Sequence, residues 1–180
     1  MDTRYRLLEE LDINPLGICR KIVWVVAHPW LPSRFGYSMS DDLITASPDF
    51  WGPLGLVIAY AALLLWGTFE VVPWVILIWV LGSALIRFVS QVSGSPLSLG
   101  QILACTGYSA APLILVVLSL VVARPRPTLS LPLQALGIVW ATRSGATSLV
   151  PSLRPRRKWL VVYPLLLLYT YLMSLYAERT

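Results

Sequence analysis

From Phe50 to Ala123 the chain carries only two formal charges, Glu70 and Arg87. No long element within this stretch has a polar face with which to meet water. A hydrocarbon slab about 30 Å thick is crossed by a helix of roughly 20 mostly apolar residues rising about 1.5 Å each. The stretch is long enough for three such helices. With 57% hydrophobic residues, 13% charged residues and a mean hydropathy of +0.71 over 180 residues, the chain cannot be folded around one small water-soluble core. Most of its surface must face a lipid bilayer. The net charge of +5 is scattered at the ends of apolar blocks and forms no stripe with stacking aromatics, which excludes a nucleic-acid partner and makes anionic headgroups the natural counterions.

Residues 1–47 are polar and mixed, without the basic start and long apolar run of a signal peptide. Within them, Ile22 to Ala27 is apolar, with Arg20 and Lys21 before it and His28-Pro29-Trp30 after it. That run is too short to span, and it predicts a short interfacial helix near residues 16–28 with Trp24 and Trp30 at headgroup depth. Residues 48–180 then hold five apolar blocks, at about 51–69, 71–89, 101–123, 129–150 and 159–177. The first is entered through Ser47-Pro48-Asp49, where a side chain can cap the opening N–H groups and Pro53 fits the first turn. So short a connection between blocks one and two forces an antiparallel hairpin. Pro112 interrupts the third block by removing one helical hydrogen bond. The expected fold is an all-α polytopic membrane protein with five transmembrane helices and a short interfacial N-terminal helix.

The Lys/Arg bias of the short loops favours a cytosolic N-terminus and a luminal C-terminus, because the loop holding Arg154, Arg156, Arg157 and Lys158 is then cytosolic. In this orientation Arg143 lies about 10 Å from the helix end at Val150, within reach of a snorkelling guanidinium. The alternative is that Arg143 lines a polar pathway, since intramembrane charge is often functional. Glu70 falls at the tip of the first hairpin. Gly137, Ala141 and Gly145 form a small-residue stripe at i, i+4 spacing that permits close approach of a helix, from a second chain or from the same bundle. Arg143 points away from that stripe.

Chemistry is scarce. The two cysteines, Cys19 and Cys105, lie far apart and in different settings, so neither a disulfide nor a metal site is expected. Cys19 beside Arg20 and Lys21 is open to two readings, a palmitoylated cysteine or a plain free thiol. The sole histidine, His28, sits next to a proline; no carboxylate pair, HExxH motif or phosphate-cradling glycine loop occurs, so neither a cofactor nor an enzymatic site is expected.

The run Pro48-Asp49-Phe50-Trp51-Gly52-Pro53, then Val71-Val72-Pro73-Trp74 with Ile78-Trp79 and Gly82-Ser83, resembles the Yip-domain family of Golgi and ER membrane proteins, named for interaction with Ypt/Rab GTPases. Gly100-Gln101, Gly107-Tyr108-Ser109 and Pro112-Leu113 are similar to its third helix, and Tyr163-Pro164 through Tyr169, with Tyr171 and Ser174-Leu175-Tyr176, to its last. Leu11-Asp12-Ile13 with Arg20-Lys21-Ile22 is similar to a segment of the Golgi YIPF subgroup, from which the chain departs at Arg143, where an uncharged aromatic is typical. The resemblance implies five spans, a cytosolic N-terminus, Golgi residence, and a scaffolding role in vesicle-mediated transport through other Yip-family membrane proteins and prenylated Rab GTPases. It singles out Asp49, Trp51, Gly52, Pro53, Gly107, Tyr108, Pro112, Tyr163, Pro164 and Tyr169 as motif positions. Tyr5-Arg6-Leu7-Leu8 also fits the minimal strand-adding peptide of autophagy receptors, a pattern common by chance. Two rival functions stand beside the scaffold: a small transporter or channel using Arg143 and Glu70, and a structural subunit of a larger membrane complex.

Overall fold

The computed structural model describes residues 15–27, 49–64, 71–94, 97–123, 126–149 and 158–177. Among these the chain forms seven helices: α1 (Pro15–Ala27), α2 (Trp51–Leu64), α3 (Val71–Val92), α4 (Leu99–Tyr108), α5 (Ala111–Ala123), α6 (Pro127–Leu149) and α7 (Lys158–Ala177). Pairings of α2 with α3 and of α3 with α4 follow the short connections, and α6 and α7 likewise pack together. α4 sits centrally, against α1, α2, α3 and α6, while α7 closes the bundle on α3 and α6.

α3 shows why this is a membrane protein. Its inward stripe Val71, Val75, Trp79, Ser83, Ile86 and Ser90 recurs at three- and four-residue intervals. Its outward face is as apolar as its core, with Trp74 62% and Phe88 64% exposed beside Leu77, Leu81 and Leu85. In water such a face would be a large aggregation patch; in hydrocarbon it is simply solvated. Among the described residues, three helical segments are long and apolar enough to cross a bilayer: Val71–Val92, Leu99–Ala123 (the α4–α5 pair taken together) and Trp159–Ala177. α2 is shorter as described, and α6 is long but diluted by Gln134, Arg143 and several hydroxyl residues.

The third apolar block, expected as one span interrupted at Pro112, is broken outright. It is two helices, separated at Ser109-Ala110. Pro112 has no N–H and its ring crowds the preceding turn, so the break falls just N-terminal to it. There the chain tightens, with Ala110 N–H donating to Gly107 O at 3.2 Å before Ile114 N–H resumes the ladder on Ala110 O. The block also starts earlier than Gln101. Ser98 Oγ accepts from Gln101 N–H at 3.2 Å, and Gln101 Oε1 accepts from Ser98 N–H at 2.9 Å, a capping box that opens α4 at Leu99.

α1 is a short helix, as expected, and one of its faces packs on α4, α5 and α6. Lys21 and Val25 are buried, and Ser144 Oγ donates to the Val25 carbonyl at 2.8 Å.

Candidate functional site

The polar groups of the bundle converge where α1, α2 and α4 meet. Asp49, immediately before α2, accepts from Lys21 Nζ at 2.8 Å through Oδ1 and from Tyr108 Oη at 2.5 Å through Oδ2. Lys21 Nζ also lies 5.7 Å from the centroid of the Tyr108 ring, within cation–π range. The carboxylate read as a candidate cap for α2 thus clasps α1 and α4 instead. The Lys21 side chain is only 9% exposed, and a charge so far from bulk water must be paired.

The clasp requires close approach. A Cβ on Gly52 would lie 2.1 Å from Tyr108 Oη, and one on Gly107 would lie 2.4 Å from Pro53 Cβ. Gly52-Pro53 and Gly107-Tyr108, two motifs far apart in sequence, form one contact between α2 and α4. Phe50 stacks obliquely nearby, its ring centroid 6.2 Å from that of Trp79.

A second polar set continues through the helix break. Trp79 Nε1 donates to Thr106 Oγ1 at 3.1 Å, Ser83 Oγ pairs with the same hydroxyl at 2.9 Å, and Thr106 Oγ1 bonds back to Ile102 O at 2.8 Å. Carbonyls near the break are covered by side chains. Ser109 Oγ donates to Cys105 O at 2.5 Å, while Tyr169 Oη donates to Thr106 O at 3.0 Å and pairs with Ser109 Oγ. Tyr60 Oη reaches Leu172 O at 2.6 Å, tying α2 to α7. Each bond joins groups that lipid could not satisfy.

The family model of the Yip1 domain matches residues 25–176. The chain belongs to the Yip1 domain family. No solved structure matches it. The family is linked to membrane trafficking in general. Within this Yip1 domain, Asp49, Gly52, Pro53, Gly107 and Tyr108 come together as one joint, and Tyr169 lies beside it on the Thr106–Ser109 turn. Pro112 makes that turn. Pro164 is buried within α7, whereas Tyr163 and Trp51 are turned outward.

The stripe Gly137, Ala141 and Gly145 is used inside the chain. A Cβ on Gly137 would meet Met173 and Val116 at 3.2 Å; one on Gly145 would meet Leu165 and Ser109 at 2.9 Å; Ala141 is fully buried. Arg143 is exposed on the outer surface of α6. Glu70, Arg154, Arg156, Arg157 and the Tyr5–Leu8 segment lie outside the described residues, as does the side chain of Lys158.

Sequence reasoning missed Lys21, Thr106 and Ser83 as members of the joint. A signal existed: Trp79 and Tyr108 sit in apolar runs, and a buried indole or phenol needs a polar partner. Which hydroxyl or charge would supply it depends on how the helices pair.

Proposed function

We propose that this Yip1-domain chain is a multi-pass scaffold of the Golgi membrane, cycling through the ER, that binds partner membrane proteins of its own family and prenylated Rab GTPases in vesicle-mediated transport, without catalysis. The family match across most of the chain carries the reading. The geometry supports it, because the buried tyrosines, serines and threonines near the joint spend their hydroxyls tying helices together. Activity then resides in surfaces. In this proposal α2 and α6 join the three long apolar segments to give five spans, with the N-terminus cytosolic and the C-terminus luminal. The basic run Arg154, Arg156, Arg157 and Lys158 then faces the cytosol, where each cation near an anionic leaflet contributes on the order of 1 kcal/mol.

Topology is tested by single-cysteine labelling in sealed microsomes. Arg156→Cys is expected to react from the cytosolic side and Glu178→Cys to be protected; the opposite pattern overturns the orientation.

For the function, a tagged copy is expected to mark the Golgi and to co-purify other Yip1-domain proteins. Loss of the chain is expected to disturb Golgi morphology or glycan processing. A variant with all four loop cations changed to Gln is expected to localise correctly yet rescue poorly. Full rescue removes the loop from the mechanism, and normal traffic without the protein refutes the scaffold. A solute flux in liposomes abolished by Arg143→Ala would establish the transporter instead.

A further inference from the structure

We propose that the groove between α3 and α7 seats α7 of a second copy of this chain, forming a two-fold dimer within the membrane. The groove has a volume of about 540 Å³ and opens on the outer surface. Ile78, Leu81 and Leu85 of α3 wall one side, and Leu167, Tyr171 and Ser174 of α7 wall the other. Its floor is fixed where the two helices touch: a Cβ on Gly82 would lie 2.7 Å from Leu168 Cδ1.

One group in the groove needs a partner that lipid tails cannot supply. Tyr171 is 51% exposed, and among the described residues nothing bonds its hydroxyl. The hydroxyls beside it are already used, Thr170 Oγ1 donating to Leu166 O and Ser174 Oγ to Tyr171 O, both at 2.8 Å. Tyr171 lies six residues inside the C-terminal end of α7, about 9 Å by helical rise. Helical side chains lean toward the N-terminus, so the hydroxyl sits deeper still. Hydrocarbon offers it no hydrogen bond there, and polar side chains at such depth join helices.

The outer edge of α7 has the pattern of a helix–helix seam. Leu160, Tyr163, Leu167, Thr170, Ser174 and Ala177 follow one another at alternating three- and four-residue steps, the repeat of a left-handed helix pair, and none of them is buried. The half that flanks Tyr171 narrows to Thr170, Ser174 and Ala177, small residues that let two backbones approach. This seam borders the groove and shares Leu167, Thr170 and Ser174 with its lining.

These features select a second copy as the occupant. A two-fold axis along the membrane normal keeps every residue at the depth of its equivalent. A hydroxyl donates and accepts at once, so Tyr171 of one protomer satisfies Tyr171 of its partner. An unrelated helix would need a polar group at that one depth, and a sterol would have to draw its hydroxyl away from the headgroups. Such a pair forms in either orientation of the chain and with no trafficking protein present, so it stands apart from the scaffold role.

The test uses the full chain with Cys19→Ser and Cys105→Ala, labelled at the N-terminus with donor or acceptor fluorophore, in phosphatidylcholine vesicles at a series of protein-to-lipid ratios. Energy transfer is expected to rise with protein density and saturate as for a dimer. Thr170→Leu, which adds bulk to the seam, is expected to weaken association more than tenfold. Tyr171→Phe is expected to weaken it about threefold, the usual worth of one hydrogen bond between membrane helices. Both side chains are exposed, so thermal unfolding of the dilute protein is expected to be unchanged and reports that each variant folds. Oxidation of a Ser174→Cys protein is expected to give a disulfide-linked dimer, and of a Leu118→Cys protein, exposed on α5, to give none. A monomer at every density overturns the proposal, as does a dimer indifferent to Thr170→Leu and Tyr171→Phe, or one cross-linked equally through positions 174 and 118. A photoreactive sterol that labels the groove while the chain stays monomeric assigns the groove to lipid and overturns it as well.

Discussion

Replacing Gly107 by leucine is expected to prevent the Yip1 domain from folding to a monodisperse species in detergent, and Gly107→Ala to destabilise it by about 1–3 kcal/mol, the usual range for forcing extra atoms into a packed core. The added Cβ would lie 2.4 Å from Pro53 Cβ and 2.9 Å from Pro53 Cα, so relief requires α2 itself to shift. A moving α2 would carry Asp49 away from Tyr108. Gly55 provides the control: nothing lies within 4 Å of its Cβ position, and it occupies a helix interior. Gly55→Ala is therefore expected to be neutral or to stabilise by up to about 1 kcal/mol through helix propensity. Thermal unfolding in detergent measures both. Equal effects at the two glycines would falsify the close-contact account.

Trp79→Ala is expected to cost about 3–5 kcal/mol, the range for removing a buried aromatic and leaving a cavity. Trp79 is 1% exposed, and its indole fills the space between α3 and α4 while donating to Thr106. Trp79→Phe separates the two contributions. It retains much of the volume and loses one hydrogen bond, so a cost of about 1 kcal/mol is expected. Thr106 Oγ1 keeps its bond to Ile102 O and its contact with Ser83, which limits the damage. A phenylalanine variant as unstable as the alanine one would mean that the Trp79–Thr106 bond, not the packing, secures this joint.

The two sites share a physical logic. In lipid, apolar burial between helices supplies little of the drive it supplies in water, and close packing with internal hydrogen bonds takes over. The Yip1 domain accordingly places Gly52, Gly107, Gly137 and Gly145 at helix contacts and Tyr169 over a carbonyl near the α4–α5 break. The outer surface is left to other contacts: the exposed apolar sides of α3 and α7 and the exposed Arg143 of α6.

The helices and the membrane environment were readable from the sequence because both are local properties of composition. Two charges in the run from Phe50 to Ala123 exclude water whatever the packing, and Pro112 removes a backbone donor wherever its helix sits, although Pro132 and Pro164 lie inside continuous helices and only the fold showed that the break falls at Ser109-Ala110. The glycine stripe of α6 was likewise readable as a close contact, since a missing side chain has that effect in any partner. Its partner was not readable: i, i+4 spacing describes one helix, and only the fold showed that Leu165, Met173 and Val116 lie against it. The same limit applied to Asp49 and Lys21. In sequence one is a helix-opening acid and the other an interfacial cation, 28 positions apart. Their pairing, and with it the burial of a lysine and the docking of α1, was decided by tertiary structure, because a charge is satisfied by whichever opposite charge the packing brings within reach.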